Sequence, residues 1–173
     1  MFERITEESF DEIFPLLEAA FPITELRLKE DQRRLLKEDA YRLYGVKKGG
    51  VFAAVFAAWE IDDFLYIEHF AVAEALRGNG FGGGLLDAFL EEKGKPVVLE
   101  VELPEDTVTR RRIAFYERHG LVYNTYPYLQ PPMRKGQDML PLRFMTKPGA
   151  IDLETYERYR KKIYRIVYKY EGE

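Results

Sequence analysis

The segment Gly78-Asn79-Gly80-Phe81-Gly82-Gly83-Gly84 constrains this chain more than any other. A strand-like run, Phe64 to Val72, comes before it, and a helical pattern reaching about Lys93 follows. Each glycine inside a helix costs roughly 0.8–1 kcal/mol relative to alanine, so Gly82, Gly83 and Gly84 together cost on the order of 2–3 kcal/mol. Domains keep only about 5–15 kcal/mol of net stability. Such a cost asks for something that must approach the backbone closely. A strand, a glycine loop and a helix start in succession offer free N–H groups and the positive end of a helix dipole. That combination suits a phosphate.

The segments around the loop change hydrophobic period often. Phe2 to Ile5 reads as an edge strand. Phe10, Ile13, Phe14, Leu17 and Phe21 follow helical spacing, with Thr6 or Ser9 as cap, Ser9 and Glu12 as a capping box, and a kink or a restart expected at Pro15. Thr24 is expected to cap a second helix running to about Lys37. Tyr41 to Val46, Val51 to Trp59 and Phe64 to Val72 read as an antiparallel meander, turned at Lys47-Lys48-Gly49-Gly50 and at Asp62-Asp63. Past the glycine loop come the strand Pro96 to Glu102, a helix ending at Gly120 and a short strand from Leu121 to Asn124. A loop over 126–138, the strand Leu140 to Lys147 and a helix opening at Asp152 complete the chain. The expected fold is mixed α/β (α+β), with a mostly antiparallel central sheet and helices on both faces. Residues 1–147 form the body, and 148–173 a C-terminal helical extension of the same domain.

Composition closes several routes. The chain has 173 residues and no cysteine, which removes disulfides, thiolate metal sites and a cysteine nucleophile. Its net charge of -4 does not suit a nucleic-acid binder. The apolar run from Val51 to Trp59 is about half the ~20 residues a membrane helix needs. Met1 to Glu8 has no signal-peptide pattern, so the expected location is the cytoplasm. The two histidines, His69 and His119, lie far apart and make no metal site expected.

Three motifs compete at the loop. A P-loop needs a Lys-Ser or Lys-Thr pair after the glycines, and none is there. Gly78-Asn79-Gly80-Phe81-Gly82-Gly83 fits the dinucleotide pattern, but a meander precedes it where a parallel unit should begin. The third is Arg77-x-x-Gly80-x-Gly82 directly after Phe70-Ala71-Val72. With Tyr66-Ile67-Glu68-His69 ahead of it, this segment resembles motif A of the Gcn5-related N-acetyltransferases. Arg112-Ile113-Ala114-Phe115-Tyr116-Glu117-Arg118-His119-Gly120-Leu121 looks like the later helix of that family.

The resemblance implies an acyltransferase that takes acetyl-CoA as cosubstrate and a small-molecule or peptide amine as acceptor, in a monomer or a homodimer. It implies that the loop Arg77, Gly78, Asn79, Gly80, Phe81, Gly82 and Gly83 holds the CoA pyrophosphate. It places the pantetheine along Phe70, Ala71 and Val72, where a backbone N–H polarises the thioester carbonyl. A tyrosine at the Tyr116 position protonates the departing thiolate. Thr109 stands where the family often has Asn, and can still hydrogen-bond CoA. A non-catalytic acyl-CoA-binding or sensor domain is the alternative.

Amine acetylation needs a base, a stabilised oxyanion and a protonated leaving thiol. Glu68 is the expected base. On a regular strand Tyr66, Glu68 and Phe70 share one face, and His69 and Ala71 the other. Glu100 and Glu102 share a face of the neighbouring strand and are candidates to bind a cationic acceptor. Tyr126 and Tyr128, in the Pro- and Tyr-rich loop, are expected to line the acceptor pocket.

Overall fold

Gly49 and Gly50 take positive φ, 63° and 80°, and so turn one long strand back on another. The computed structural model describes residues 1–172. Its strands are β1 (Glu3–Arg4), β2 (Tyr41–Lys48), β3 (Val51–Ile61), β4 (Phe64–Val72), β5 (Val97–Glu102), β6 (Val122–Tyr123), β7 (Tyr128–Gln130) and β8 (Leu140–Lys147). The helices are α1 (Phe10–Ala20), α2 (Lys29–Arg34), α3 (Phe81–Lys93), α4 (Thr107–Arg118) and α5 (Leu153–Ile166). The sheet runs β1-β2-β3-β4-β5-β8-β6, with β7 paired to β8. Every pairing is antiparallel except that of β4 with β5.

β3 is buried almost without interruption because helices cover both sheet faces. On one face α1 and α5 bring Phe10, Ile13, Leu17, Tyr159 and Ile163 against Trp59, Phe64 and Tyr66. On the other, Leu86, Phe89 and Ile113 from α3 and α4 meet Phe56, Leu65, Ile67 and Leu99. Fully burying one such side chain contributes roughly 1.5–3 kcal/mol. The C-terminal helix therefore closes one of the two core layers.

Local chemistry departs from expectation in four places. Ser9 caps no helical N–H; its hydroxyl turns back to the Thr6 carbonyl, so the predicted capping box does not form. α1 passes through Pro15 as one helix, so the restart does not occur. The second helix starts at Lys29, not near Thr24, because Leu26 and Arg27 are drawn into the interior at 3% and 7% exposure. The loop over 126–138 contains β7, which extends the sheet.

One irregularity matters more. Ala57 pairs with His69 and Ala58 with Ile67, so Glu68 is an extra residue in β4, a β-bulge. The bulge breaks the alternation that put Glu68 and Phe70 together. Glu68 and His69 both lie on the α1 side, against Trp59 and Phe21. Phe70 stacks instead on Phe56, in the other layer.

Candidate active site

β4 and β5 pair only at Leu65↔Val97, Tyr66↔Val98 and Ile67↔Leu99. Beyond the bulge they separate, although β4 continues to Val72 and β5 to Glu102. A bulge bends its strand, which gives the physical reason for the splay. A cleft of about 690 Å³ opens there, lined by both strand ends, the glycine loop and α4.

The ladder shows which groups face it. The Ala73 N–H donates to the Ala53 carbonyl, so Ala73, Ala71 and His69 direct their backbone groups to β3. Phe70 and Val72 must therefore direct theirs into the splay. The Val72 carbonyl is taken by Arg77 Nε at 2.9 Å. The N–H groups of Phe70 and Val72 remain on the cleft wall.

At one end of the cleft α3 begins. Gly78 and Gly80 have φ of 85° and 83°, a region open to glycine at little cost. No side chain caps α3, and its first turn holds no acidic residue. The Asn79 side-chain oxygen accepts from Phe81 N–H at 3.2 Å. The first intrahelical bond is that of Gly84 to the Gly80 carbonyl, which leaves the Gly82 and Gly83 N–H groups without a helical partner. Arg118 and His119 line the same end. Packing accounts for two of the helix glycines. A Cβ on Gly83 would sit 2.7 Å from His119 Nε2, and one on Gly82 3.2 Å from Val72 Cγ2. Gly84 has nothing within 4 Å.

At the other end carboxylates gather: Glu25 from the turn between α1 and α2, and Glu100 and Glu102 from β5. Arg112 pairs with Glu102 at 3.1 Å. Burial, with the charge of Glu102 next in weight, pushes Glu25 up to about 7. Burial also raises Glu100. Its Oε1 accepts from the hydroxyls of Tyr66 and Tyr168 and from Gln130, while Oε2 is buried with no partner. Tyr116 also lines the cleft, and burial pushes its hydroxyl up to about 12, so it carries its proton at neutral pH.

A strand edge with free N–H groups, lying between an uncapped helix start and a proton-bearing tyrosine, is equipped to hold an activated acyl group. The profile of the acetyltransferase (GNAT) family matches residues 6–121. The chain belongs to the GNAT family of acetyltransferases. A provisionally named GNAT acetyltransferase from Bacteroides thetaiotaomicron is 35% identical, with a TM-score of 0.90 over 97% of this chain and 98% of that one. YjbC of Bacillus subtilis, also provisionally named an acetyltransferase, is 39% identical over 100 residues; the match spans 57% of this chain and 50% of that protein. A GNAT acetyltransferase from Elizabethkingia anophelis with acetyl-CoA bound shares the fold, with a TM-score of 0.60 and 21% identity over 84% of this chain and 95% of its own.

Within this GNAT fold, the expected cofactor residues Phe70, Ala71, Val72, Arg77, Gly78 and Gly80 line the cleft, as do Gly82, Gly83 and Tyr116. Asn79 and Phe81 are not on its wall; the Phe81 ring lies under Lys48. Thr109 is also elsewhere. It is buried and forms the capping box of α4 with Asp106, so its hydroxyl is committed to the helix.

Glu68, the expected base, is held differently from the other cleft carboxylates. It borders the cleft, but its side chain is fully buried and paired with Arg27 at 2.8 Å. Burial pushes it up, yet Arg27, His69 and the hydrogen bonds from Arg27 and Trp59 prevail and hold it below the usual carboxylate range. A carboxylate so held is a poor proton acceptor at neutral pH. Of the acceptor candidates, Glu100 and Glu102 are on the wall and the two tyrosines are not. Tyr126 stacks on Tyr156 and donates to the Ile151 carbonyl. Tyr128 is fully buried against Phe144. Glu25 escaped sequence analysis because it fell inside the expected second helix. The warning was Pro22 and Thr24, turn formers three residues or fewer ahead of it.

Proposed function

We propose that this enzyme transfers an acetyl group from acetyl-CoA to a primary amine by direct attack within a ternary complex. The observation that carries the reading is the free edge of β4, with the Phe70 and Val72 N–H groups in the splay. It lies between a helix start suited to phosphate and a carboxylate-lined end suited to a cation. Acetyl-CoA supplies a thioester, an acyl group already activated toward amines. The residues present fit it. The Gly82 and Gly83 N–H groups and Arg118 suit the pyrophosphate, and the β4 edge suits the amide-bearing arm and the thioester oxygen. Tyr116, on the cleft wall and holding its proton, suits the role of giving one to the departing sulfur. Glu25, Glu100 and Glu102 favour an acceptor that arrives positively charged.

Calorimetric titration with acetyl-CoA tests this, with NAD and ATP as controls. The expected result is micromolar binding of acetyl-CoA alone, lost in Gly82→Leu, whose side chain would fill the space beside Val72. Binding of NAD or ATP instead would overturn it. Acetyl-CoA binding with no transfer to any of a broad amine panel would indicate a binding domain rather than a catalyst.

A further inference from the structure

Glu25 stands over the mouth of the splay, held from both walls. His69 Nε2 meets its carbonyl oxygen at 2.7 Å, fixing the turn beside the open β4 edge. Arg134 Nε donates to the next carbonyl, that of Leu26, at 2.8 Å. The neighbouring Arg27 is locked into its pair with Glu68. The turn is thus held at three successive residues, two by their carbonyls and Arg27 by its side chain, while Glu25 lines the cleft together with Glu100 and Glu102 of β5 and Arg112 of α4. Among the described residues no cation pairs with Glu25 directly; Arg27 is taken by Glu68 and Arg112 by Glu102. Arg112 is the guanidinium whose charge acts on Glu25, and its contact with Glu102 is 3.1 Å.

We propose that Glu25 is the catalytic base that takes the proton from the acceptor ammonium, with Glu102 as its supporting carboxylate. The inference rests on the acetyl-transfer reading above. Glu68 also borders the cleft but is paired with Arg27, whereas Glu25 pairs with no cation among the described residues and has a proton affinity near neutrality through burial and the charge of Glu102. A base with that affinity is half ready at neutral pH and strong enough to use. The ammonium gives one proton to Glu25 and the free amine attacks the acetyl carbon. A C–N bond forms and the C–S bond breaks. Tyr116 gives its proton to sulfur and recovers one from the new amide nitrogen, and Glu25 releases its proton to water.

The test is the pH dependence of kcat/KM for acetylation of a diaminoalkane, with acetyl-CoA affinity measured in parallel by calorimetry. The wild-type acidic limb is expected near pH 7. Glu25→Gln is expected to remove that limb and lower kcat/KM by about a hundredfold, with acetyl-CoA affinity unchanged. Glu102→Gln should move the limb to lower pH, because a repelling charge is gone. Arg112→Gln should move it to higher pH, because an attracting charge is gone. A carbon-13 carboxyl titration of wild-type Glu25 gives a second reading, expected near 7 and independent of any variant's folding. If acetyl-CoA binds and the amine is acetylated but the limb survives in Glu25→Gln, or if Glu25 titrates in the ordinary glutamate range, this assignment is overturned and the acetyl-transfer reading stands. If acetyl-CoA does not bind the wild type, both fall.

Discussion

Arg27 ties together three parts of the chain that are remote in sequence. Its guanidinium pairs with Glu68 at the β4 bulge and donates to the Val167 carbonyl at 3.3 Å, after the end of α5. Removing one partner of a buried pair leaves an uncompensated charge, which typically costs about 3–5 kcal/mol, whereas replacing both is far milder. Arg27→Met is therefore expected to lower the urea midpoint sharply, and Arg27→Met with Glu68→Gln to recover much of the loss. Equal loss in the single and double variants would show that the charge is not what matters. Tyr116 belongs to the chemistry instead. Tyr116→Phe keeps the ring and is expected to lower kcat by on the order of a hundredfold, with acetyl-CoA affinity unchanged. An unaltered kcat would remove it from the acid role. Neither Arg27 nor Glu25 was singled out from the sequence, since nothing in a local pattern distinguishes a charged residue that turns inward from one on a solvated helix face.

α3 shows how far an element can be read from its residues. Its start, its end near Lys93 and its uncapped first turn follow from glycine content and hydrophobic spacing alone, because those are local properties. The reason for each glycine is not local. Gly83 meets α4 through His119, and Gly84 is exposed with open space around it. Gly84→Ala is expected to stabilise the protein by about 0.5–1 kcal/mol, the helix-interior difference between the two residues. Gly83→Ala is expected to destabilise it, because an imidazole must move. Thermal unfolding of the two variants separates the cases, and a loss of stability in Gly84→Ala would mean that its backbone is not free to take a side chain. The turn between α1 and α2 is the opposite case. Helical spacing suggested that α2 would begin near Thr24, but burial of Leu26 and Arg27 holds the backbone in an irregular path, and that path is what carries Glu25 to the cleft.

Across the whole molecule, the buried carboxylates oppose one another in their effect on stability. Glu68 lies below its usual value of 4.5 when folded, so its contribution is present above that pH and is lost as pH falls through the folded value. Glu25 is raised from 4.5 to about 7, so its contribution is present at pH 4.5 and is lost as pH rises toward 7. Glu25→Gln mimics the protonated form at every pH. It is expected to raise Tm by about 2–4 °C at pH 8, the shift that follows from ~1 kcal/mol in a domain of this size, and to leave Tm unchanged near pH 4. A Tm difference of the same size at both pH values would show that the ionisation of Glu25 does not set it. No helix among the described residues is long and apolar enough to cross a membrane. The strand meander, the glycine loop after β4, the Arg77-x-x-Gly80-x-Gly82 spacing and the amphipathic C-terminal helix were all determined by the sequence itself, since each depends on neighbours a few positions away. The tertiary structure alone decided the side to which Glu68 turns, the pairing of Arg27 and the presence of Glu25 on the same cleft as Glu102. A single bulge reverses the parity of every later residue in a strand, and its place is chosen by the strand it pairs with, not by the residues within it.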